Sequence, residues 1–163
     1  MIRIAVIEDL ASITDIYNQA IESGFQTAFT EKFRTEDRVE WFKAHSEQAY
    51  PIFVFEKDGR VVGWLSVNDY RHGRGALRYA AEVSYFIHKD FQRQGIGAHL
   101  LRHGIDACRT LGYKSLLAII LEPNIASAAL LEKFGFEKWA YLPRIADFAG
   151  VECSQVYYGL KLA

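Results

Sequence analysis

The chain carries only two cysteines, no surplus of either charge and no long hydrophobic run. Cys108 and Cys153 show no CxxC or Cys/His ligand spacing, which argues against a disulfide framework and against a zinc site. Nineteen Lys plus Arg oppose twenty Asp plus Glu for a formal net charge of −1, without the basic excess of a dedicated nucleic-acid binder. No apolar stretch approaches the ~20 residues that span a bilayer, and Met1-Ile2-Arg3-Ile4 lacks the apolar core of a signal peptide. The expectation is a cytoplasmic protein with reduced thiols, no nucleic-acid partner and no membrane association. The five histidines (His45, His72, His88, His99, His103) are scattered. His99 and His103 share a helical face without an acidic neighbour, so no metal is expected.

Half of the 163 residues are hydrophobic and 14% are aromatic, which suits one folded domain over residues 1–163. A chain of this length buries roughly 70% of its unfolded surface. Ile2 to Ile7 reads as a strand and Asp9 as an N-cap. Ile13, Ile16, Tyr17, Ala20 and Ile21 recur at helical spacing up to Gly24, and Thr35 to Ser46 is a second amphipathic stretch. Pro51 opens the strand Ile52 to Glu56, Asp58-Gly59 is a hairpin turn, and Arg60 to Asn68 returns. Glu82 to His88 is a further strand. A long helix follows Gly97 and closes at Gly112. Ser115 to Leu121 is a strand covered on both faces. A helix from Asn124 to Phe134 and the strands Phe136 to Leu142 and Glu152 to Leu162 complete an α/β domain with a mixed central β-sheet flanked by helices.

The chemistry concentrates after the strand that ends near Ile87. Gly95 and Gly97 allow backbone N–H groups to face a ligand, and the helix behind them adds orphan amides and a positive dipole end. That combination suits a pyrophosphate. A dinucleotide fingerprint fails because Leu100 stands where the third glycine belongs, and a Walker loop lacks its G-K-[ST]. The pattern [QR]-x-x-G-x-[GA] is met in full by Gln92-Arg93-Gln94-Gly95-Ile96-Gly97. About thirty residues later come Asn124-x-x-Ser127-x-x-Leu130, then Lys133-x-Gly135-Phe136.

Taken together, these two motifs resemble those of the GCN5-related N-acetyltransferases (GNAT). Tyr17-Asn18, Glu36 to Phe42 and Ala81-Glu82-Val83-Ser84-Tyr85 extend the resemblance to the branch that acetylates phosphinothricin and methionine sulfoximine. The resemblance implies a GNAT fold whose fourth and fifth strands splay apart, with the pantetheine arm of acetyl-CoA between them. It implies that Tyr85, Phe86 and Ile87 pair through their backbones with the pantetheine. The loop Gln92, Arg93, Gln94, Gly95, Ile96, Gly97 and Ala98 would hold the pyrophosphate, and Asn124, Ser127 and Lys133 would complete the cofactor site. It further implies direct transfer through a tetrahedral intermediate, a small-molecule amine acceptor and a homodimer.

An acceptor amine titrating about two units above pH 7 must lose a proton before attack, at a cost of about 2.7 kcal/mol. Glu82, set in an apolar run at the start of its strand, is the candidate general base. Arg74 and Arg78 are candidates for the acceptor carboxylate, and Phe29 for an aromatic cap over the acceptor. Leu131 stands where the superfamily often has Tyr and the closer branch His. The leaving thiolate therefore has no donor there, and Tyr85, Tyr79 and Tyr141 are the alternatives. Two other readings remain at this point: acetylation of a different amine (a protein N-terminus, a polyamine or an antibiotic), and an acyl-CoA-binding regulatory module without turnover.

Overall fold

The computed structural model describes residues 1–162. Its strands are β1 (Ile2–Ile4), β2 (Ile52–Lys57), β3 (Arg60–Asp69), β4 (Ala80–Ile87), β5 (Ser115–Leu121), β6 (Glu137–Phe148) and β7 (Val151–Lys161). Its α-helices are α1 (Leu10–Ser23), α2 (Val39–Lys43), α3 (Ile96–Thr110) and α4 (Ile125–Lys133). All seven strands join one sheet in the order β1-β2-β3-β4-β5-β7-β6. Every neighbouring pair is antiparallel except β4 with β5, which run parallel through the α3 crossover.

Helices cover both faces of the sheet, which explains why β3 is apolar almost without alternation. On one face Leu65 and Val67 pack with Leu100, Leu101 and Ile105 of α3. On the other, Trp64 packs with Ile13, Ile16 and Tyr17 of α1. Alternation along β4 divides the same way: Ala81 and Val83 lie in the α3 core, while Phe86 packs against the α1 cluster.

The structure differs from the sequence expectation at three elements. β1 stops at Ile4 because a 3₁₀ turn, Ile7–Asp9, intervenes before α1. Asp9 does not cap α1: its Oδ2 accepts from the Val6 amide at 2.8 Å, and its carboxylate is held by Arg3 at 2.7 and 3.0 Å. The second amphipathic stretch splits into a 3₁₀ turn at Thr35–Arg38 and the short α2. β6 continues past Leu142 to Phe148. Its register is irregular between Leu142 and Ala146, where Pro143 removes an amide at little cost on an edge strand. Ala149 and Gly150 both have positive φ (52° and 91°), as a two-residue type I′ hairpin requires, and the Gly150 amide donates to Asp147 Oδ1 at 2.6 Å.

Candidate functional site

The feature that organises the site is a gap in the sheet. β4 and β5 pair only through Ala80↔Ser115, Ala81↔Leu116 and Glu82↔Leu117. Beyond Glu82, β4 stays paired to β3 as far as Ile87, and β5 stays paired to β7 as far as Leu121. The facing backbone edges, from Val83 and from Ala118 onward, therefore diverge without bonding each other. An extended ligand carrying amides could lie between them and complete the ladder, as a strand added to an exposed edge does. Tyr85, Phe86 and Ile87 sit on the β4 side of this gap, as the sequence reading placed them.

Glu82 stands where the pairing ends. It is half-buried, and desolvation alone lifts its carboxyl from the ordinary glutamate range to about 7. Its backbone is fixed from β3: Asn68 lies opposite in register, and Asn68 Nδ2 donates to Glu82 O at 3.3 Å. Asn68 Oδ1 is 3.0 Å from His45 Nε2, and the other ring nitrogen of His45 lies 2.7 Å from Trp41 O. The segment around α2 is thus tied to the strand that carries the candidate base.

The far end of the gap meets the loop Gln92 to Ala98. Arg93 (φ 60°) and Gly95 (φ 80°) both adopt left-handed backbone, which turns the chain sharply so that α3 starts at Ile96. Glycine fits there without strain; Arg93 adopts the same region against a penalty of roughly 1–2 kcal/mol. The first-turn amides of α3, at Ile96, Gly97 and Ala98, have no carbonyl partner within the helix. Gln92, Arg93 and Gln94 are exposed, and Lys57 Nζ donates to Gln94 Oε1 at 3.0 Å. Across the gap, Asn124 caps α4 by accepting from the Ser127 amide at 3.3 Å. The Tyr85 hydroxyl is buried without a hydrogen-bond partner among the described residues, and burial pushes it up to about 12, with Ser127 opposing the shift.

Other candidates lie elsewhere. Arg74 and Arg78 sit in the exposed loop between β3 and β4; Arg74 Nη1 donates to His72 O, and the Arg78 guanidinium lies 4.4 Å from the Tyr79 ring. Lys133, at the end of α4, borders a surface cleft of about 270 Å³ with Arg102, Asp106 and Arg109, on the outer side of α3 rather than at the gap. Leu131 is fully buried in the α3 core, so that position offers no donor. Phe29, 48% exposed, rims the α1 side with its ring 5.8 Å from Tyr17 and 5.0 Å from Phe33. The sequence reading missed Arg38, the buried cation beside these aromatics. Its signal was a basic residue on the turn before Val39, Trp41 and Phe42. No cluster of His, Cys, Asp and Glu among the described residues could hold a metal ion, and no described helix is long and apolar enough to cross a membrane.

The model of the acetyltransferase (GNAT) family matches residues 14–136. A Bacillus subtilis (strain 168) protein provisionally named phosphinothricin acetyltransferase YwnH is 39% identical over 163 residues, covering 99% of both chains. An L-methionine sulfoximine/L-methionine sulfone acetyltransferase of Salmonella typhimurium is 35% identical over 144 residues, covering 88% of this chain and 84% of its own. Among solved structures, a GNAT superfamily phosphinothricin acetyltransferase from Sinorhizobium meliloti in complex with AcCoA superposes with a TM-score of 0.94 at 26% identity. That match covers 100% of this chain and 88% of the other.

Proposed function

The chain belongs to the acetyltransferase (GNAT) family, and from that membership we propose that it transfers the acetyl group of acetyl-CoA to the α-amine of a small amino acid or amino-acid analogue. Methionine sulfone, methionine sulfoximine and phosphinothricin are the acceptors its relatives' names favour. The observation that carries the reading is the unpaired gap between β4 and β5 with Glu82 at its mouth.

The residues divide the work by their chemistry. Backbone groups of Tyr85, Phe86 and Ile87 bind the pantetheine amides in the gap. The amides from Arg93 to Ala98 take the pyrophosphate, whose charge the α3 dipole favours. Asn124 and Ser127 close the opposite side. Glu82, with a pKa near the working pH, accepts the ammonium proton; a carboxylate of ordinary acidity would be a poorer base there. The freed nitrogen bonds to the thioester carbonyl carbon, the C–S bond breaks, the new amide nitrogen gives its second proton to solvent, and the thiolate leaves and takes a proton from solvent. Backbone amides bordering the gap stabilise the oxyanion.

A thiol-release assay tests this with acetyl-CoA against methionine sulfone, methionine sulfoximine, phosphinothricin, spermidine and an N-terminal peptide, with an acceptor-free blank. Turnover confined to the amino-acid analogues supports the reading. Turnover only with spermidine or the peptide, or none above the blank, overturns it.

A further inference from the structure

Arg38 is the least explained charge in the molecule. The residue is 7% exposed, yet its Nε is sealed from solvent without a hydrogen-bond acceptor. No carboxylate among the described residues pairs with its guanidinium, which instead lies 4.0 Å from the Trp41 ring centroid, 4.9 Å from Tyr17 and 5.1 Å from Phe33. Aromatic faces offset part of the desolvation of a cation, but they provide no oxygen for its N–H groups. A buried arginine without an anion is unfavourable by several kcal/mol unless something else completes it.

Its location says what could. The aromatic cage lies on the sheet face that holds Phe86, the face to which alternation along β4 also turns Glu82. Tyr17 lies under the guanidinium, and its ring packs 4.8 Å from Phe86 on the same face of β4 as Glu82. Trp41, the nearest platform, leads through His45 and Asn68 to the Glu82 backbone. The loop that brings Phe33 over the cage is clamped by Asn18, which donates to Phe33 O at 2.8 Å and accepts from Phe33 N at 2.9 Å. An α-amino acid carries its amine and carboxylate on one carbon, so a base and a cation that serve it must open onto one pocket. Arg74 and Arg78, both exposed, lack such a setting.

We propose that Arg38 is the specificity-determining residue for the acceptor: its guanidinium, held flat by Trp41, Tyr17 and Phe33, receives the acceptor's carboxylate while Glu82 faces its amine. The enzyme thereby selects amino acids over amines that lack the acid. This deepens the acetyl-transfer reading and rests on it for the identity of the ligand.

The test is a calorimetric titration of L-methionine sulfone and of its carboxamide into the protein saturated with CoA, where no transfer can occur. The wild type binds the acid more tightly than the amide. R38Q weakens the acid about ten- to a hundredfold, the range of a charge-assisted contact, and shifts the amide less than threefold. R38K keeps the charge but not the planar fork, so it weakens the acid at least threefold and leaves the amide unchanged; it carries the test if R38Q does not fold. Equal weakening of acid and amide, unchanged binding of the acid, or a wild type that does not favour the acid overturns the proposal. Thiol release by the wild type is read separately: acid-selective binding without acetyl transfer in the wild type overturns the acetyl-transfer reading and not the role of Arg38.

Discussion

Replacing Glu82 by Gln should move activity and stability in opposite directions, and both movements depend on pH. Burial lifts the Glu82 carboxyl from 4.5 to about 7 in the folded protein. That difference corresponds to roughly 3 kcal/mol at 1.36 kcal/mol per pH unit, and partial solvent access reduces it to about 1–3 kcal/mol. An acid whose folded pKa is raised contributes no penalty below its unfolded value near 4.5. The penalty grows as pH rises and is complete above about 7. E82Q should therefore melt roughly 2–8 °C higher than the wild type at pH 9, and this advantage should shrink toward zero near pH 4.5. In kinetics, wild-type kcat/KM should fall about tenfold per pH unit below 7 as the base protonates. E82Q should lose at least tenfold in kcat at pH 7 while acetyl-CoA still binds. Its rate should instead climb steadily to about pH 9, where the acceptor amine loses its own proton. Differential scanning fluorimetry and a pH series of thiol release measure the two effects. A break near pH 7 that survives in E82Q, or a melting difference that ignores pH, would refute the reasoning.

Three further perturbations follow from the packing. Asn124→Ala removes the side chain that accepts from the Ser127 amide, so thermal unfolding should show a loss of about 1 kcal/mol and calorimetry a weaker acetyl-CoA complex. Gly159→Ala would place a methyl group about 2.0 Å from the Trp139 ring, so the ring must leave β7, with a loss of about 1–3 kcal/mol in urea unfolding and a blue- or red-shifted tryptophan spectrum. Arg3→Ala leaves the buried Asp9 carboxylate with the Val6 amide alone. Burial by itself would raise that group, and the Arg3 and Val6 hydrogen bonds outweigh it and hold it below its usual value. The wild type therefore gains stability above pH 4 that it loses on further acidification, and the variant's acid-unfolding curve should show less of this loss.

The site was legible in the sequence where its chemistry is local. Gln92 to Gly97 lie within six residues, and their role in starting α3 follows from backbone conformations that glycine permits. Asn124 and Ser127 are three apart, so a helix cap could be read directly. The Glu82 carboxyl could be expected to rise because its sequence neighbours are apolar. The aromatic cluster around Arg38 was not legible, because Arg38 meets Tyr17 across twenty-one positions and Phe29 approaches Tyr17 across twelve. Exposed Arg74 and Arg78 were the nearer cations along the chain, and only burial distinguishes them from Arg38.

The sequence by itself determined the order of elements, the α/β class and the glycine-bearing turn into α3, since these depend on periodicity, turn chemistry and short spacings. The tertiary structure decided where pairing between β4 and β5 stops, because that depends on how two strands are pulled toward different neighbours, β3 and β7. It decided that β6 runs through Pro143, since edge position makes the missing amide tolerable. It also decided that Arg38 is the buried cation, because Tyr17 and Phe33, which are remote from it along the chain, pack around its guanidinium together with Trp41.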